Sequence, residues 1–277
     1  MSTSLPIVSW ETQQFYFRAS EKPLFGCYHR PRGKSHRDCG VVLCYPLGQE
    51  YIWSHRTFLK LAIGLARVGF PVLRFDFTGC GDSEGDCDQW RIHQWKTDIE
   101  SGIAELKTRG EIKKVCLIGL RLGATLARMI GANREDIEGM VLWDPVINGM
   151  DYVAELKSRH HKHLVRYGGV PQKPTQEHED QEVIGFTLTT NFLTDLQPIN
   201  LLTVPSEYTK KILCIQSTEI PYGKELESQI KKTHPLVEFQ HLPSNPLWKR
   251  GKNMLTRKLV PQDTVKLVVS WTSKVFQ

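Results

Sequence analysis

Gly119-Leu120-Arg121-Leu122-Gly123 has the glycine frame of a nucleophile elbow, with arginine in the serine place. In the G-x-S-x-G pattern a tight turn between a buried strand and a helix carries a serine, and nearby backbone N–H groups receive an oxyanion. The flanks fit that geometry: Lys114 to Ile118 reads as a buried strand and Leu122 to Ala132 as a helix starting under the turn. The centre does not fit. A guanidinium has only donors, keeps its proton at physiological pH and cannot attack a carbonyl.

Outward from the turn, the same rhythm repeats. Gly40 to Tyr45, Pro71 to Phe75 and Gly139 to Trp143 are short apolar runs like Lys114 to Ile118. Helical spacing follows at His55 to Val68 (Leu59, Ala62, Ile63, Ala66) and Gln94 to Arg109 (Ile99, Ile103, Leu106). Fully apolar strands separated by helices predict a mainly parallel sheet covered on both faces. Gln13 to Arg18, with alternating Phe15 and Phe17, and Leu24 to His29 predict an opening antiparallel pair. Residues 149–205 interrupt the alternation with a helix from Met150 to Tyr167, a polar stretch and a mixed segment, an insertion placed to act as a lid. Alternation returns with Lys211 to Gln216, Lys224 to Thr233, Val237 to Leu242 and Asp263 to Phe276. One domain over residues 1–277 is expected.

Composition narrows the setting. The net charge of +6 is modest, and the basic residues cluster only at Lys157 to Arg166 and at Lys249, Arg250 and Lys252. Aromatic interleaving is missing there, so no nucleic-acid partner is expected. Seven cysteines without C-x-x-C spacing read as reduced thiols. The sequence has no leader pattern at its start and no apolar run of ~20 residues, which predicts a cytoplasmic protein without a membrane span.

The turn, the opening pair and the insertion before the last two strands together resemble the α/β-hydrolase fold. Tyr45-Pro46-Leu47-Gly48 occupies the oxyanion-loop place after the third strand, and Asp76 to Gly85 is similar to the D-x-x-G-x-G-x-S segment of many members. The resemblance implies an eight-stranded sheet of the serine aminopeptidase-like kind. Gly79-Cys80-Gly81-Asp82-Ser83, the Arg121 turn and Trp143-Asp144-Pro145-Val146 more narrowly resemble the exosortase A system-associated hydrolase 2 family. That likeness implies a protein working near exopolysaccharide production and surface-protein sorting. An acyl-transfer step in natural-product assembly is an alternative setting.

Each catalytic place of that fold has an occupant in this chain. The acid place after Lys211 to Gln216 offers Glu219, and an acid after the sixth strand is Asp144. The base place beyond the last strand reads Leu242-Pro243-Ser244-Asn245-Pro246-Leu247-Trp248 and holds no histidine, while His241 falls inside the strand. Serine and histidine are therefore missing together, a loss that removes on the order of 10⁶ in kcat from a serine protease.

Arg121 has three readings: an anion receptor at a helix N-terminus, a structural plug neutralised by Glu50 or Asp144, or an orienter of substrate for another nucleophile. The plug leads, because a buried arginine is rarely left unpaired. Leu47, Leu122, Glu50 and Trp248 complete the expected ligand-binding set, with Trp248 as an apolar wall or ordinary core. Asp144 reads as an ion-pair partner or cap, or else as a carboxylate nucleophile or relay acid. Cys44 and Cys80 lack a histidine partner in sequence, and His160-His161-Lys162-His163 reads as a solvated basic face rather than a metal site. No cofactor is indicated.

Two functional classes follow. The first is a non-classical or inactive hydrolase homologue, a pseudoenzyme in the latter case, that binds a small anionic or acyl-bearing molecule or a protein partner through the old catalytic pocket. The second is an active hydrolase or acyltransferase on an ester, thioester or peptide, using Asp144 or a cysteine in place of serine.

Overall fold

The computed structural model describes residues 10–19, 22–31, 37–168, 180–205, 211–219, 222–233, 237–243 and 260–276. The chain opens with β1 (Trp10–Ala19) and β2 (Lys22–Pro31), paired antiparallel with Phe17 opposite Leu24. Then β3 (Cys39–Cys44), α1 (Gly48–Arg67), β4 (Val72–Phe75), α2 (Ile92–Gly110), β5 (Lys114–Leu120), α3 (Leu122–Gly131) and β6 (Ile137–Trp143) alternate. The described residues within 149–205 include α4 (Gly149–Arg166), a hairpin of β7 (Gln181–Val183) and β8 (Phe186–Leu188), and α5 (Thr190–Leu196). The chain closes with β9 (Lys211–Gln216), α6 (Gly223–Thr233), β10 (Val237–His241) and α7 (Gln262–Val275).

The large sheet has eight strands in the order β1-β2-β4-β3-β5-β6-β9-β10, parallel from β4 to β10. Every residue of β3, β4 and β6 is buried, as a strand covered on both faces requires. Helix α1 packs against α7, and α2 against α3. The carboxyl ends of β3, β5 and β6 lie side by side, so the turns that follow them meet at one edge of the sheet.

Helix α1 begins at Gly48, well before the expected His55. Glu50 and Tyr51 donate their N–H groups to the Leu47 carbonyl, so the first turn forms without a side-chain cap. The buried stripe of α1 also differs from the expected one. Phe58, Leu61, Ala62 and Leu65 face the core, while Leu59 and Ile63 are half-buried, because α7 takes only part of that side of the helix.

Candidate functional site

The Arg121 turn sits at the sheet edge where β5 gives way to α3. Arg121 has φ 53° and ψ −124°, a strained conformation for a residue with a Cβ. Both flanking glycines have steric reasons to be there. A Cβ on Gly119 would lie 2.5 Å from Ala124 Cα, and one on Gly123 would lie 2.3 Å from the carbonyl oxygens of Cys44 and Tyr45. The backbone is pinned by Arg121 N–H donating to Trp143 O at 3.0 Å and by Thr125 Oγ1 donating to Val146 O at 2.7 Å. The turn thus has the strained geometry of an elbow with an arginine at its centre.

The Arg121 side chain is 4% exposed and faces two carboxylates. Nη2 donates to Glu155 Oε2 at 2.5 Å, and Nε lies 3.5 Å from Glu50 Oε1. Glu50 stands in the first turn of α1 and is itself 1% exposed. It accepts from Tyr152 Oη at 2.9 Å through Oε2 and from Arg159 Nη1 at 2.6 Å through Oε1. The Arg121 guanidinium also lies 5.1 Å from the centre of the Tyr152 ring. Two guanidiniums and two carboxylates thus balance in charge, as burial demands. Burial would lower the Arg121 pKa, but Glu50 and Glu155 outweigh it and hold the group above its ordinary value.

The salt bridges of Arg121 among the described residues are to Glu50 and Glu155, and Asp144 acts on it only at longer range. Asp144 directly follows β6 with φ 43° and is fully buried, and its Oδ1 accepts from Ser217 N at 2.7 Å. Its carboxyl pKa is pushed up to about 6 by burial, against the lowering effects of the Ser217 hydrogen bonds and Arg121. Glu219 is exposed in the turn after β9 and shares no hydrogen bond or ion pair with the Arg121 cluster among the described residues. Leu47 and Leu122 are both buried at the starts of α1 and α3. Trp248 lies outside the described residues. Cys44 is fully buried, with its thiol pKa pushed up by burial, and His241 is exposed at the end of the edge strand β10.

A void of about 20 Å³ lies between Leu47, Glu50, Trp90, Arg159 and the β7–β8 hairpin. That is room for about one water. Phe186 of the hairpin stacks on Trp90 at 5.6 Å between ring centres and lies over Gly48, whose Cβ would meet it at 3.3 Å. His160 on α4 is tied to the same hairpin, its Nδ1 accepting from Ile184 N at 3.1 Å.

Sequence reasoning placed Glu50 beside Arg121 but missed Glu155, Tyr152 and Arg159. All three come from α4, where positions 152, 155 and 159 share one helix face at i, i+3 and i+7. A charged and aromatic stripe at that spacing, next to the apolar Leu156, was the available signal.

The strand order, the strained turn between β5 and α3, and the insertion between β6 and β9 decide the architecture. The chain has the α/β-hydrolase fold. Residues 50–186 match the profile of the family described as serine aminopeptidase, S33. An esterase of Pyrococcus furiosus is 18% identical, with 97% of this chain and 92% of that one covered and a TM-score of 0.67. Est1E from Butyrivibrio proteoclasticus, solved with ferulic acid bound, is 17% identical over 94% of this chain and 96% of its own, also at 0.67. A proline iminopeptidase of Mycobacterium smegmatis is 11% identical over 95% and 98%, at 0.62. No curated protein matches the sequence. Set on the α/β-hydrolase frame, Arg121 occupies the nucleophile's turn.

Proposed function

We propose that this protein is a catalytically silent α/β-hydrolase homologue that acts by binding, and that its former catalytic centre has become a structural ion-pair cluster. One observation carries the reading: the residue at the elbow is a cation already engaged by Glu155 and Glu50. A side chain so engaged neither attacks a carbonyl nor waits for an anionic ligand. The void of about 20 Å³ between Leu47, Glu50, Trp90, Arg159 and the hairpin has room for about one water, so an ester or peptide placed there needs the hairpin to move. On this reading the insertion over residues 149–205 is a closed lid, and the partner is a protein or a small anionic or acyl-bearing molecule held elsewhere. The resemblance to exosortase-associated hydrolases suggests a cytoplasmic role beside exopolysaccharide and surface-protein sorting machinery.

A second reading, an active hydrolase or acyltransferase, has one observation in its favour. Asp144 Oδ2 is buried without a hydrogen bond among the described residues, so this carboxylate is not fully committed. Esterases, a proline iminopeptidase and an enzyme solved with a substrate analogue among the structural neighbours make esters, acyl thioesters and peptides the substrates to try. The purified protein is expected to turn over p-nitrophenyl butyrate and an acyl thioester no faster than buffer. Turnover that disappears in Asp144→Asn and survives in Arg121→Ala would instead establish the second reading.

A further inference from the structure

Helices α1 and α7 run parallel, and both end at Arg37. Its guanidinium donates to Val68 O at 3.0 Å, Ser273 O at 3.2 Å and Phe276 O at 2.6 Å. Between the two helices lies a groove of about 1160 Å³, large enough for a sizeable organic ligand. Its floor is apolar, built from Ile63, Val68, Val265 and Val269 around the close approach of Gly64 to Val269. Its charge is of one sign: among the described lining residues there are five cations and no carboxylate.

The cations divide into two sets. Arg37, Arg67 and Lys274 stand at the carboxyl ends of α1 and α7, where a positive charge offsets the helix dipoles. Lys60 and Lys266 have no such role. They lie within the helices, toward the other end of the groove, and neither has an ion pair or hydrogen bond among the described residues. Asp263, one turn before Lys266, is outside the lining and pairs with neither. Two uncompensated ammonium groups thus flank the mouth of an apolar channel. From Lys60 to Val68 that channel follows α1 for ~12 Å at the helical rise per residue.

We propose that this groove binds a single-chain aliphatic anion, with its head group between Lys60 and Lys266 and its chain along Ile63, Val265 and Val269. A fatty carboxylate and an alkyl phosphate share that chemistry. A concave apolar floor with Lys60 and Lys266 at one end, and with the cations at the other end engaged by helix carboxyl termini, suits such a molecule. The site is separate from the elbow cluster, because Glu50 precedes Lys60 by ~15 Å along α1.

The test is calorimetric titration of the full chain with dodecyl phosphate and with dodecanoate, both below their micellar concentrations. Saturable one-to-one binding of either is expected, with at least a tenfold loss of affinity in Lys60→Glu/Lys266→Glu and little change in Lys60→Arg/Lys266→Arg. Binding of one head group only names the source and supports the proposal. Absence of saturable binding to both would overturn it, as would undiminished binding in the charge-reversed variant. Equal affinity for inorganic phosphate would show the apolar floor to be idle and would also overturn it. So would binding only to phosphatidylglycerol vesicles, which would mark a membrane-facing surface. Hydrolytic activity enters none of these outcomes, so the proposal fails or survives independently of the silent-site reading.

Discussion

Arg121 on the elbow and Glu155 on α4 meet at 2.5 Å, joining the nucleophile's turn to the insertion that covers it. Through this contact, and through Glu50 bridging to Tyr152 and Arg159, α4 is held against the starts of α1 and α3. The cluster therefore does two things at once. It places a cation in the turn after β5 and holds α4 over that turn.

Arg121→Ser should not recover a hydrolase. No histidine follows His241 in the sequence, and the only one on β10 is exposed at its edge. The variant should instead lose stability, by roughly 3 kcal/mol, since Glu50 is left buried with one guanidinium where it had two. Urea denaturation and a p-nitrophenyl butyrate assay check both halves. Strong esterase activity in this variant would reveal an overlooked base.

Asp144 and His29 should give opposite pH dependences. The Asp144 carboxyl, raised by burial to about 6, holds its proton more tightly folded than unfolded. Its contribution is complete below the ordinary aspartate range and is lost as pH rises through about 6, on the order of 3 kcal/mol. The stability of Asp144→Asn relative to the parent should therefore increase from pH 4 to pH 6 and then level off.

His29 is buried on β2, and its pKa is lowered to about 4 by burial and by Arg74. Arg74 Nε donates to its Nε2 at 3.0 Å, which needs a neutral ring. Stability from this residue is present above pH 6.5 and lost as pH falls through about 4, again on the order of 3 kcal/mol. Denaturation across that range should show the loss in the parent and a flatter profile in His29→Gln. An unchanged profile would mean that folding does not lower the His29 pKa.

Phe186→Ala should loosen the cover. The ring is half-buried over Gly48 and Trp90, so its loss should cost about 2 kcal/mol or less, below the range for a full core phenylalanine. Amide hydrogen exchange in the first turn of α1 and in residues 181–188 should speed up. Unchanged exchange there would show that the hairpin does not close the site.

The strands and the elbow were legible because their signals are local. A run such as Val115 to Ile118 is apolar at every position only if both faces are covered, and Gly119 and Gly123 mark a turn that admits no Cβ. Glu50 was within reach of the same reasoning, since it follows β3 as Arg121 follows β5. Glu155 and Arg159 were not, because their meeting with Arg121 depends on how α4 folds back over the sheet. The early start of α1 was hidden for a different reason: backbone bonds to the Leu47 carbonyl replace the side-chain cap that would announce it.

The central claim is that the cation at the elbow is satisfied by its own protein, and a double-mutant cycle on folding stability with Arg121→Gln and Glu50→Gln tests it most directly. A coupling of about 2 kcal/mol or more is predicted, with the double variant more stable than the sum of the single losses. Additivity within ~0.5 kcal/mol would contradict the account and return Arg121 to the role of a receptor awaiting an anion.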